Sequence, residues 1–196
     1  MFFNSTTFAG NAAVRDAWLG AIGITSGQFL VDFESVSVGT NVNGVDLGGG
    51  LTIVHPSGNA LVQSNASFFG SSNPIGTRAV ALQEVAGTIT LNFTSPVDYV
   101  GGFDIDMPGA TLRATFADNS TAQISLDTTG SSGDTAEFWG VWRNDAAAIT
   151  KLEFIGTSGG DGEWGLDNLE YGAVPEPGTM IAIGAGLTLA RLRRRR

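Results

Sequence analysis

From residue 28 onward, apolar residues recur at every second position, in short runs interrupted by Gly, Asn, Asp and Ser. That period restricts the fold more than any other feature. Alternation of this kind places apolar side chains on one face of an extended chain, and an α-helix would scatter them. Phe29, Val31 and Phe33 show it in the stretch Gln28–Val36. Further strands are expected over Leu51–Val54, Arg78–Gln83, Gly87–Phe93, Tyr99–Asp106, Thr111–Phe116, Thr121–Leu126, Ala136–Trp142, Thr150–Ile155 and Glu163–Tyr171. The segments between them are turn-like, as in Gly48-Gly49-Gly50 and Asp118-Asn119-Ser120. Leu112, Ala114 and Phe116, then that Asp-Asn-Ser turn, then Ala122, Ile124 and Leu126 form the clearest hairpin. Roughly ten short strands at this spacing predict an all-β fold, an antiparallel β-sandwich or jelly roll.

One segment departs from the period. Residues 8–22 place Val14, Ala17, Trp18 and Ala21 at the spacing of one helical face, with Arg15 and Asp16 outside that stripe and Gly23 as terminator. A short N-terminal helix is expected there.

Composition narrows the function classes. The chain has 196 residues and no Cys, which excludes a disulfide scaffold and a thiolate metal site. Its formal charge of -9 is unevenly distributed. Residues 1–173 hold 18 acidic and 5 basic groups, a net of -13, and residues 174–196 hold 1 acidic and 5 basic groups, a net of +4. An acidic body repels a nucleic-acid backbone, so no nucleic-acid partner is expected. A basic block confined to one end points to a tail with its own task.

The tail has three parts in order. Pro175 and Pro177 break regular structure, residues 179–190 carry no charge, and Arg191 with Arg193, Arg194, Arg195 and Arg196 close the chain. The uncharged run can enter a bilayer as a single hydrophobic helix, with the Arg cluster held on the cytoplasmic side. As a helix, residues 178–190 would reach about 20 Å, against a hydrocarbon core of about 30 Å. Such an anchor is marginal, as suits a segment retained only until it is cut. The expected organisation is a β-sandwich body over residues 1–172 and a tail over residues 173–196.

Val174-Pro175-Glu176-Pro177-Gly178-Thr179, the apolar run and the terminal arginines resemble the PEP-CTERM sorting signal of Gram-negative envelope proteins. That resemblance implies transient anchoring in the inner membrane and removal of the tail by exosortase. It further implies delivery of the body to the cell surface or the extracellular matrix of a biofilm. An exported protein also needs a leader. MFFNSTTFAG has neither a basic n-region nor an adequate apolar core, so the true start is expected upstream.

The body is similar to domains that often precede this tail. Asp32-Phe33-Glu34, Gly102-Phe103-Asp104, Phe138-Trp139-Gly140-Val141 and Leu166-Asp167-Asn168-Leu169 carry the similarity over about residues 8–172. Phe33-Glu34 near the start and Asp167-Asn168 near the end also resemble carbohydrate-binding modules and MAM domains, in which such residues meet around a structural calcium ion. That makes Glu34, Asp167 and Asn168 metal candidates, with Asp32 and the carbonyls of residues 44–46 as further ligands. The alternative is that Glu34 and Asp167 are exposed or bond loop amides.

Trp142 and Trp164, near the acidic residues Asp161 and Glu163, are candidates for a sugar-binding surface. Trp139 and Trp142 are three apart and therefore face opposite sides of a strand, so at least one belongs to the core. Asp104-Ile105-Asp106 reads as a solvated acidic strand face. His55 is the single histidine, no Gly-x-Ser-x-Gly elbow occurs, and nothing singles out a carboxylate pair, so the body is expected not to be an enzyme. The alternatives to a structural or binding module are a carbohydrate-binding module of the extracellular polysaccharide and, behind it, a polysaccharide hydrolase.

Overall fold

The computed structural model describes residues 2–4, 11–64, 76–83, 87–105, 107, 109–126, 136–143, 148–156 and 163–174. The expected C-terminal helix lies outside these residues. Among the described residues, no helix is long and apolar enough to cross a membrane.

The elements follow in the order β1 (Phe2–Asn4), α1 (Asn11–Ala21), β2 (Phe29–Val31), β3 (Leu51–Val54), β4 (Ala60–Ser64), β5 (Arg78–Gln83) and β6 (Thr88–Val97). Then come β7 (Tyr99–Ile105), β8 (Ala110–Phe116), β9 (Thr121–Leu126), β10 (Ala136–Trp142), β11 (Ile149–Ile155) and β12 (Glu163–Gly172). Two antiparallel sheets result, as the alternation predicts. One has the order β1-β10-β7-β12-β5-β4, with β2 also paired to β12, and the other runs β3-β6-β11-β8-β9. The expected hairpin is β8–β9, with Leu112 opposite Ile124 and Ala114 opposite Ala122. Asn119 takes a positive φ of 63° in its turn, a conformation Asn tolerates better than most residues.

The inner faces of both sheets meet in one apolar core. Leu51, Leu91, Leu112, Leu152 and Phe154 come from one sheet, and Val62, Leu82, Val100, Trp139, Trp164 and Leu166 from the other. Helix α1 covers the outer face of the larger sheet. Trp18 lies over Gly140 and Gly101, where a Cβ would stand only 2.7 and 2.9 Å from its ring. Two strand glycines thus leave room for the indole.

Three expectations change. The buried stripe of α1 is Trp18, Leu19 and Ile22, with Ala17 and Ala21 exposed. Arg15 belongs to that stripe, because its guanidinium pairs with the buried Glu170 carboxylate. β2 ends at Val31 and not at residue 36, because Phe33 adopts a left-handed φ of 56° that no strand continues through. β1 and β4 are additional strands, β4 packing Ala60 and Val62 into the core.

Candidate functional site

β12 occupies the centre of the larger sheet, and one of its flanks changes partner midway. β5 pairs with Glu163–Leu166, and β2 pairs with Leu169–Tyr171. On the opposite flank the register with β7 shifts between Asp167 and Glu170, so β12 carries one extra residue there. Asn168 takes a left-handed φ of 46° at this bulge, and its N–H donates to Asp167 Oδ1 at 2.7 Å. Asp167 and Asn168 therefore sit where neither β5 nor β2 pairs with the strand.

Glu34 reaches the same gap. Its Oε1 accepts from Thr77 N at 2.6 Å and Arg78 N at 3.0 Å, and its Oε2 accepts from the Thr77 hydroxyl at 2.5 Å. Arg78 in turn donates to the carbonyls of Glu34 and Val36. Desolvation opposes ionisation of Glu34, but the hydrogen bonds from Thr77 and Arg78 hold its pKa below the usual value. Asp32 Oδ1 caps Glu34 N at 3.2 Å. A Cβ at Gly76 would overlap Glu34 Oε1 and stand 3.8 Å from Asp167 Oδ2, so the two carboxylates face one small space that glycine leaves open.

Asp167 is fully buried, and its Oδ2 has no hydrogen-bond partner among the described residues. Burial, followed by the charges of Glu34 and Asp32, pushes its pKa up to about 8. The structure thus joins two pairs that lie far apart in the sequence, Asp32 with Glu34 and Asp167 with Asn168. It ties residues 44–46 to β3 instead, through Gly44 N to Ile53 O and the bridge between Asp46 and Thr52. Among the described residues, no group of three or more acidic or histidine side chains is arranged to hold a metal.

The other candidates separate clearly. Trp164 is 0% exposed and packs against Phe154, with ring centroids 5.3 Å apart, so it is a core residue and not a sugar platform. Trp139 is core as well, and Trp142, on the opposite face, packs against the cluster under α1. His55 is buried, with its ring bonded to Ser57 Oγ and the Gln83 carbonyl. Asp106 and Asp161 lie outside the described residues, as does the Glu163 side chain.

The expectation of a solvated acidic face at Asp104 is overturned, because Asp104 is buried. Asp104 on β7 stands directly opposite Glu137 on β10, and both are buried. Period two places them on the face that also carries Val100, Trp139 and Val141, inside the sandwich. Neither Asp104 oxygen has a hydrogen-bond partner among the described residues, and burial followed by the Glu137 charge raises its pKa well above the usual value. A group with a raised folded-state pKa stabilises most in acid, and that contribution is lost as pH rises from the unfolded value through the folded one. Asp104→Asn is accordingly expected to add about 1–2 kcal/mol at pH 8 and little at pH 4, measured by urea unfolding. Equal shifts at both pH values would refute this assignment.

The described residues end just beyond β12. Gly172 pairs with Tyr99, and Val174 packs against the apolar cluster that includes Trp18 and Ile22. Pro175, Glu176, Pro177 and the terminal arginines lie outside the described residues. Residues 173–196 match the family model described as the PEP-CTERM protein-sorting motif. The chain ends in a PEP-CTERM sorting signal. This signal marks the protein for export and sorting to the cell surface. No curated protein matches the sequence. Among solved structures, the chain is similar to the K2 cleaved adhesin domain of Lys-gingipain, with a TM-score of 0.46 and 12% identity, over 73% of this chain and 98% of that one. It is also similar to TmCBM61, solved in complex with β-1,4-galactotriose, at a TM-score of 0.40 and 14% identity over 72% of this chain and 93% of that one. A CBM29-2 variant gives a TM-score of 0.40 and 11% identity, over 76% of this chain and 94% of that one.

Proposed function

We propose that exosortase recognises residues 173–196 and cuts at or near Pro175-Glu176-Pro177. The β body then acts at the cell surface or in the extracellular matrix as a non-catalytic structural or binding module. The tail carries this reading: the break, the uncharged run and the arginine block follow one another directly after the last strand. The run gives transient residence in the inner membrane, and the arginines stay on the cytoplasmic side until the cut. Two features support the non-catalytic part. The single histidine is engaged in structural hydrogen bonds, and Asp104 and Glu137 lie in the core and not in a cleft.

Expression of the full chain in a host that has exosortase tests the proposal. The mature protein is expected to lack the terminal arginines by intact mass. A surface-localised product that retains Arg196 would refute processing.

For an extracellular polysaccharide, one depression offers amide side chains: Asn59, Gln63 and Gln83 line it together with Leu61 and Ala81. A second element of the proposal concerns calcium. The orphaned Asp167 oxygen and the space at Gly76 fit a hard cation held by Glu34 and Asp167, with backbone carbonyls and water completing the shell. Bound there, the ion would neutralise the buried charge and lock the gap between β2 and β5; it would have no role in a reaction.

A further inference from the structure

The last described residues are held by the body. Asp98 N donates to Gly172 O at 2.8 Å, which closes the end of β12 against the start of β7. Beyond the strand, Ala173 N donates to Gln28 Oε1 at 3.0 Å, and Val174 N donates to Asp98 Oδ2 at 2.8 Å. Both acceptors are themselves fixed. Gln28 N donates to the Tyr99 hydroxyl at 2.7 Å, and the Asp98 carbonyl accepts from Arg143 N at 3.0 Å. Val174 adds apolar contact with the Trp18, Leu19, Ile22 and Tyr99 cluster. Gly172 has no room for a side chain, since a Cβ there would stand 2.5 Å from Gln28 Cβ and 2.8 Å from Gln28 Oε1.

The residue that follows this clamp is Pro175, the first of the Pro-Glu-Pro. No linker separates the two. The uncharged run starts at Thr179, and five extended residues span at most about 18 Å. A protease binds a substrate segment as extended chain and engages its backbone groups. Ala173 and Val174 cannot present their N–H groups to an enzyme while Gln28 and Asp98 hold them.

We propose that this clamp restrains processing: exosortase acts on the state in which Ala173 and Val174 have peeled away from Gln28 and Asp98. The inference rests on the sorting reading above and adds its regulation. Cleavage of a locally opened segment follows the population of the open form when opening and closing are fast. Each hydrogen bond removed is then expected to raise the cleavage rate about fivefold.

The test uses the full chain in an exosortase host, with loss of the tail followed by mass after a pulse label. Asp98→Ala and Gln28→Ala are each expected to lose the tail about fivefold faster than the parent. A short Gly-Ser linker inserted between Val174 and Pro175 leaves every bond of the clamp in place and supplies free residues upstream of the signal. It too is expected to accelerate processing, and it carries the test if a point variant fails to fold. Thermal midpoints of the purified variants separate local release from global unfolding. Equal rates in the parent, the folded point variants and the linker variant would overturn the clamp and leave the sorting reading standing. A parent chain that never loses its tail would overturn both.

Discussion

Phe154→Ala is expected to lower the unfolding free energy by about 3–5 kcal/mol. Phe154 is 0% exposed on β11, a central strand of the five-stranded sheet. Its ring meets two indoles from the opposite sheet. Trp139 approaches edge-on, with centroids 5.3 Å apart and an interplanar angle of 79°. Trp164 is tilted at 57° at the same separation. Truncation would remove the group that bridges the sheets and leave a cavity that two rigid indoles cannot collapse to fill. Urea unfolding followed by tryptophan fluorescence measures the loss. Thr115→Ala on the outer face of neighbouring β8 is the comparison, expected within about 0.5 kcal/mol of the parent. A Phe154→Ala cost below about 1 kcal/mol would mean that the two sheets do not share this core.

The same three rings show what the sequence could convey. Alternation located nearly every strand, because strand faces are set by parity and parity survives without tertiary information. It also required that Trp139 and Trp142 diverge, and they do: Trp139 enters the sandwich and Trp142 faces the helix side. Parity does not say which face is wet. Trp164 looked available beside acidic residues, yet it lies on the inner face of β12, and no local signal distinguishes that from an outward position. The helix forms where expected, but its buried face shifts for a related reason: Arg15 falls outside the apolar stripe by spacing, yet Glu170, 155 positions away, gives its guanidinium a buried partner. β4 was missed because Ala60, Leu61 and Val62 form too short an apolar run to alternate visibly. The opposition of Asp104 and Glu137 depends on register between strands far apart in the chain, which a single sequence does not contain. Residue types around the bulge were legible only through resemblance. The bulge itself and the Gly76 space are products of the sheet, where β12 changes partner.

Calcium removal is expected to lower the thermal midpoint by about 5–10 °C, the shift for a site at roughly a hundred times its dissociation constant in a domain of this size. The expectation follows from the gap between β2 and β5. Thr77 and Arg78 already satisfy Glu34 from one side, whereas Asp167 Oδ2 is buried and has no donor among the described residues. A carboxylate in that position is costly unless a cation or proton compensates it. Calcium tolerates an irregular shell of carboxylate, carbonyl and water oxygens, and magnesium demands an octahedron and gives up water reluctantly. Adding calcium to chelator-treated protein should therefore restore the midpoint, and adding magnesium should not. Asp167→Asn separates the ion from the fold. It should abolish the response to calcium while melting no lower than the chelated parent, since the buried charge is gone. A midpoint unchanged by chelator would show that a proton compensates Asp167. Glu34 would then act solely as the tie between the end of β2 and the start of β5.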